Sequence, residues 1–244
     1  MNIIDEIKKV LKNAISPPFF EDGCRSEHSF VECADDRVAN HYGWELKCGM
    51  TKCVLVPLGL DKGNYVYKIP FNGFVLDEDE DNDDEPTSFL PFEGAYHSIE
   101  KVRELTKHEL NNFENYCEAE VSIYNVAASR GLSSFFLPIE VVDEVKGIPL
   151  YRQPKVLPSS YGYHKCTLTS KNAAKETFIQ SNIVVNQSLL AELYDDYGVN
   201  SKPIMELMEF LRLYDITDLD SFNYGRPIRG DRRLKFMDYA GFHS

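Results

Sequence analysis

Residues 65–71 read YVYKIPF, an apolar stretch with one lysine, Lys68, set in its middle. Side chains alternate across a strand. Val66, Lys68 and Pro70 therefore share one face, and Tyr65, Tyr67, Ile69 and Phe71 share the other. A lysine in such a place either lies along apolar surface with its ammonium in water or meets an anion. The stretch before it, Thr51–Leu58 (TKCVLVPL), is a second strand. The six residues between, Gly59–Asn64 (GLDKGN), carry turn chemistry, so the pair forms a β-hairpin.

Outward from this hairpin, residues 3–15 form an amphipathic helix with Ile4, Ile7, Leu11 and Ala14 on one stripe, stopped by Ser16-Pro17-Pro18. Residues 24–71 are β-rich. Residues 77–85 read DEDEDNDDE, a self-repelling block that reads as a solvated loop. A long helix covers about residues 99–130 and ends at Gly131. Phe136–Val145 and Ile148–Val156 are strands joined at Lys146-Gly147. Leu157–Tyr163 reads as a linker, and helices follow at about 187–196 and at Lys202–Tyr214. The order gives an α+β chain. Residues 1–22 form an N-terminal helix and linker, residues 23–156 a sheet lobe, and residues 157–244 a helical lobe.

Composition sets outer bounds. The chain has 244 residues, 43% of them apolar and 27% charged, which suits a globular protein with a real core. No window nears the length of apolar sequence that a membrane span needs, so no membrane partner is expected. The net charge is −13. Eight of the 39 acids lie in residues 77–85, and the remaining 31 against 26 bases leave only −5. A nucleic-acid backbone is therefore a poor partner, whereas the acidic loop suits a basic protein surface.

The start, MNIIDEIKKVLKNAI, lacks the features of a signal peptide. Six cysteines spread over this length read as reduced thiols, and a cytoplasmic location is expected. A zinc site built from Cys24, His28, Cys33, His41, Cys48 and Cys53 is the sharper alternative, but the spacings fit no common finger.

Three further features carry chemistry. On the long helix, Glu120 falls in the stripe of Phe113, Tyr116, Ile123, Tyr124 and Ala127. A carboxylate there either reaches water at the stripe's edge or needs a cation. The segment ITDLDSFNYG, residues 216–225, packs Asp218, Asp220 and Asn223 into six residues of loop. Such oxygen density suits Mg²⁺, or else turn formation by Asp and Asn. In LKFMDYAGF, residues 234–242, an apolar strand runs into Asp238, which is placed to hold a metal or to cap a turn.

Taken in order, a strand lysine, a helix glutamate, Asp-x4-Asn and a late Asp resemble the protein-kinase-like superfamily. The resemblance runs from about residue 43 to residue 242, and its loop is closer to that of small-molecule kinases. It implies a two-lobe fold and a cleft for ATP and Mg²⁺. Lys68 would contact phosphate and Glu120 would position it. Asp218 would act as base, while Asn223 and Asp238 would hold the metal. Gly49, with Gly43 in GWELKCG, would stand in for the glycine-rich loop. The function implied is phosphotransfer to a hydroxyl acceptor, or nucleotide binding by a pseudokinase that serves as an interaction module. The departures are Ile216-Thr217 before Asp218, Asp220 where a basic residue usually helps the phosphate, and only six residues after Asp238.

Overall fold

The computed structural model describes residues 2–15, 34–49, 52–70, 75–76, 88–89, 115–162, 164–180, 185–214, 216 and 219–239. Within it the chain is α+β. It clusters into two compact units, one of Met1–His97, Phe113–Val121 and Ile139–Lys155, the other of Ser98–Asn112, Ser122–Pro138 and Val156–Ser244.

The first unit is built on a five-stranded antiparallel sheet. Its strands are β1 (Trp44–Cys48), β2 (Lys52–Pro57), β3 (Tyr65–Pro70), β6 (Glu140–Val145) and β7 (Ile148–Pro154), in the order β1-β2-β3-β7-β6. Both hairpins read from the sequence are present. The second turns at Lys146 and Gly147, each with positive φ (51° and 84°), the conformation that a tight two-residue hairpin requires. A short antiparallel pair, β4 (Val75–Leu76) and β5 (Ser88–Phe89), flanks the acidic run. Residues 77–85 themselves lie outside the described residues.

Two helices complete the apolar side of this sheet. Helix α1 (Ile3–Ala14) starts at Asn2, whose side chain accepts from the Ile4 amide. It buries Ile7, Val10, Leu11 and Ala14 against Trp44, Leu46, Cys53, Leu55, Tyr67, Ile69 and Leu150. Helix α2 (Asp36–His41) precedes β1, and Asp36 accepts from the Leu46 amide at 2.8 Å. No apolar periodicity marks this six-residue helix in the sequence.

Helix α3 (Tyr116–Ser129) follows β5. The part of the expected long helix before residue 115 lies outside the described residues. Its C-terminus ends as the sequence implied. Gly131 takes φ of 75°, its amide bonds Ala128 O, and the Leu132 amide reaches back to Ala127 O. This is the paired closure that a left-handed residue after the helix permits.

In the second unit a three-stranded antiparallel sheet is ordered β10-β9-β8, formed by β8 (Val156–Pro158), β9 (Tyr224–Pro227) and β10 (Lys235–Phe236). The linker expected at residues 157–163 is corrected here. Leu157 and Pro158 pair with Arg226 and Gly225, and a 3-10 turn follows at Ser159–Tyr161. Loop-like composition hid a strand that only a distant partner specifies. Helices α4 (Leu168–Gln180), α5 (Gln187–Tyr197) and α6 (Lys202–Leu213) lie between β8 and β9 in sequence, and α5 packs against both α4 and α6. Helix α4 carries exposed Leu168, Phe178 and Ile179, so it lacks the clean stripe by which a helix is recognised. Helix α6 buries Ile204, Leu207, Phe210 and Leu211. Phe136 makes edge contacts with Phe210 and Tyr239, and the Tyr239 hydroxyl donates to Leu137 O.

Candidate functional site

The two faces of the large sheet differ in kind. Strand register puts Lys52, Val54 and Val56 of β2, Val66 and Lys68 of β3, and Tyr151 and Gln153 of β7 on the face opposite α1. The alternation read for residues 65–70 therefore holds: Tyr67 and Ile69 join the apolar core and Lys68 does not. On its own face Lys68 is only 4% exposed, so it does not reach for water.

Glu120 answers it. The Lys68 ammonium donates to both carboxylate oxygens, at 2.8 and 3.1 Å, and Glu120 is fully buried. Lys52, also buried, donates to the same carboxylate at 2.8 Å. Charge-assisted bonds of this kind are short and strong. They also offset a large desolvation cost, so an apolar replacement of the same shape would often be as stable.

Lys52 was missed in the sequence. Its signal was available: in the hairpin register, Lys52 and Val54 lie opposite Pro70 and Lys68, so the two lysines share a face.

Polar groups surround these charges. Tyr151 lies directly across from Lys68. Burial pushes its phenol up to about 12, against a hydrogen bond with Asn115 that lowers it. Burial also raises the Tyr116 phenol, with Lys52 acting in the opposite sense. The Tyr116 hydroxyl and the Gln153 Nε2 are buried with no hydrogen-bond partner among the described residues. Buried polar groups are rarely left this way in a purely structural core.

The β1–β2 turn requires a correction. GWELKCG is not a loop: Trp44–Cys48 is strand β1, with Trp44 and Leu46 in the core. Gly49 lies in the turn that remains, and its amide donates to Lys52 O at 2.9 Å. The expectation of reduced thiols is also corrected for two residues. Cys48 and Cys53 face each other across the hairpin and form a disulfide, which removes both as thiolate ligands of the zinc alternative. His41 of that alternative ends α2, while Cys24, His28 and Cys33 lie outside the described residues. Cys117 and Cys166 are free thiols.

In the second unit the late motifs meet at one end of a hairpin. Asn223 directly precedes β9 and Asp238 follows β10 by one residue. The Met237 amide donates to Asn223 O at 2.8 Å, which ties the two segments together. Asp238 has φ of 55°, a left-handed conformation that a non-glycine residue adopts at some cost. Asp220 turns its carboxylate back on its own loop, accepting from the amides of Phe222 (2.7 Å) and Asn223 (3.2 Å). It works as a turn former rather than as a substitute for a phosphate-assisting base. Asp218 lies outside the described residues.

No family model, curated protein or solved structure matches the chain.

Proposed function

We propose that the protein is kinase-like and binds ATP with Mg²⁺: in the first unit Lys68 and Glu120 are the phosphate-contacting pair, and in the second unit Asn223 and Asp238 are the metal-holding residues that the resemblance implies. The observation that carries this reading is the buried Lys68–Glu120 pair at 2.8 Å. It joins the third strand of an antiparallel sheet to α3, the next helix among the described residues, and protein kinases take their phosphate-contacting lysine and its partner from a strand and a helix in this order. The hairpin that brings Asn223 and Asp238 to one end is the second support. In the catalytic form of the reading, Asn223 and Asp238 would hold Mg²⁺, and the ion would supply positive charge to the nucleotide phosphates. Lys68, steadied by Glu120, balances developing charge, and Asp218 orients an acceptor hydroxyl. Catalysis is then positioning and electrostatics.

A binding-only pseudokinase is the second reading. The β1–β2 turn favours it, being short and cross-linked by Cys48–Cys53, because phosphoryl-transfer sites commonly close by loop movement. The acidic run 77–85 would then serve a basic protein partner, and a cytoplasmic setting goes with either reading.

The deciding experiment is a thermal-shift titration with ATP and Mg²⁺. Saturation at a hundredfold excess over Kd stabilises a binding-competent fold by about 2.7 kcal/mol. Wild type is expected to shift, while Lys68→Met and Asp238→Asn are expected to lose the shift and keep a cooperative transition. A flat wild-type titration sinks nucleotide binding. A shift without phosphate transfer to any hydroxyl acceptor selects the pseudokinase.

A further inference from the structure

Away from these residues, the second unit holds a cluster whose chemistry the nucleotide reading does not use. His164 and Cys166 lie in the extended segment before α4, and Asp195 lies on α5. One ligand atom from each falls within 4.8 Å of the others. We propose that His164, Cys166 and Asp195 form a Zn²⁺ site.

The argument starts from the carboxylate. Asp195 Oδ1 accepts from the Thr167 hydroxyl (2.7 Å), the Ser170 hydroxyl (2.7 Å) and the Thr167 amide (3.2 Å). These donors fix the group and turn Oδ2 towards His164 Nε2, 3.1 Å away. The Thr167 amide also lies 3.4 Å from Oδ2, so outer donors hold both oxygens in place, as they do for carboxylates that ligate metals. Ser170 is buried, and the Asp195 side chain is only 12% exposed, so the oxygens are screened from bulk water.

The donor types select the ion. A thiolate, an imidazole and a carboxylate suit a borderline cation such as Zn²⁺, not the all-oxygen preference of Mg²⁺ or Ca²⁺. Zinc bonds of about 2.0–2.3 Å set tetrahedral ligands about 3.3–3.8 Å apart. The His164–Asp195 pair at 3.1 Å therefore opens slightly, while the wider separations within the cluster, up to 4.8 Å, close by up to about 1 Å through side-chain rotation in a non-helical segment. Glu192 on α5 is committed to Ser159 and Arg226 and is not counted among the ligands.

Binding of the ion replaces the S–H bond of Cys166 by S–Zn and releases one proton to solvent. The ion would cross-link the start of α4 to α5.

The test uses Co²⁺ as a spectroscopic probe on the full chain, with a phosphine reductant in place of thiols. One equivalent is expected to give a thiolate-to-cobalt charge-transfer band and intense visible bands of four-coordinate cobalt, both bleached by Zn²⁺. Cys166→Ser is expected to abolish the charge-transfer band, while Cys117→Ala and a Cys24→Ser/Cys33→Ser double variant keep it. Ser170→Ala, which loosens only the outer hydrogen bonding, is expected to weaken binding about 10–100-fold. Absence of the band in wild type overturns the site whatever the variants do. A band that survives Cys166→Ser overturns it as well.

Discussion

The large sheet has two buried faces that obey different rules. One packs Trp44, Leu55, Tyr67, Ile69 and Leu150 against α1 and contains no charge of its own. The other seals Lys52, Lys68 and Glu120 from water, beside a tyrosine hydroxyl and a glutamine amide that have no hydrogen-bond partner among the described residues. On the first face each buried side chain contributes roughly 1.5–3 kcal/mol by leaving water. On the second, ion pairing at best offsets the cost of desolvating three charges. A protein selected only for stability would have two faces of the first kind. The contrast supports the proposed site on the charged face by a physical argument.

The comparison breaks most sharply at Glu120. Glu120→Ala leaves Lys52 and Lys68 without their shared carboxylate and opens a cavity, so a loss of about 3–5 kcal/mol is expected. Glu120→Gln retains shape and an acceptor and is expected to cost clearly less. Urea unfolding followed by circular dichroism measures both. Equal, small losses would mean that the charged face is wetter and looser than its burial indicates.

Leu55→Ala probes the apolar face, where the penalty is a cavity alone. A loss of about 3 kcal/mol is expected, with ATP·Mg²⁺ binding retained by the surviving folded fraction. If Leu55→Ala removed nucleotide binding at temperatures where the chain is folded, the two faces would not be separable as argued.

The same contrast explains what the sequence disclosed. The apolar face was legible because period-two alternation in residues 65–70 and the stripe of α1 are local patterns. Lys68 and Glu120 were legible as conflicts: a charge inside an apolar strand and a carboxylate inside an apolar helix stripe each demanded a partner. Lys52 was not singled out because it opens its strand, where a lysine offends no local rule. Strands β8 and β9 were hidden for another reason. Leu157 and Arg226 are neighbours only through pairing across nearly seventy residues, and the turn-like composition of LPSSYGY pointed the other way. The site at His164, Cys166 and Asp195 has no sequence spacing to betray it, because Asp195 arrives from the next-but-one segment on α5.

The smallest expected effect tests the rim of the apolar face, where a half-buried ion pair sits. Glu6 on α1 accepts from the indole N–H of Trp44 at 2.9 Å and pairs with Lys62. Trp44 is fully buried, so its N–H has no route to water. Burial works to raise the Glu6 carboxyl, but the hydrogen bonds from Lys62 and Trp44 outweigh it and hold the group below its usual value. A carboxyl with a depressed folded pKa contributes stability above its unfolded value, about 4.3. That contribution is lost as pH falls through the folded value. Glu6→Ala strands the indole N–H and is expected to cost about 1–3 kcal/mol at neutral pH. Glu6→Gln keeps an acceptor for the indole, costs less at neutral pH, and flattens the stability curve below pH 5. Melting temperatures of the three proteins between pH 3 and 7 decide the matter, since an unchanged acid limb in Glu6→Gln would assign the acid sensitivity to other carboxylates.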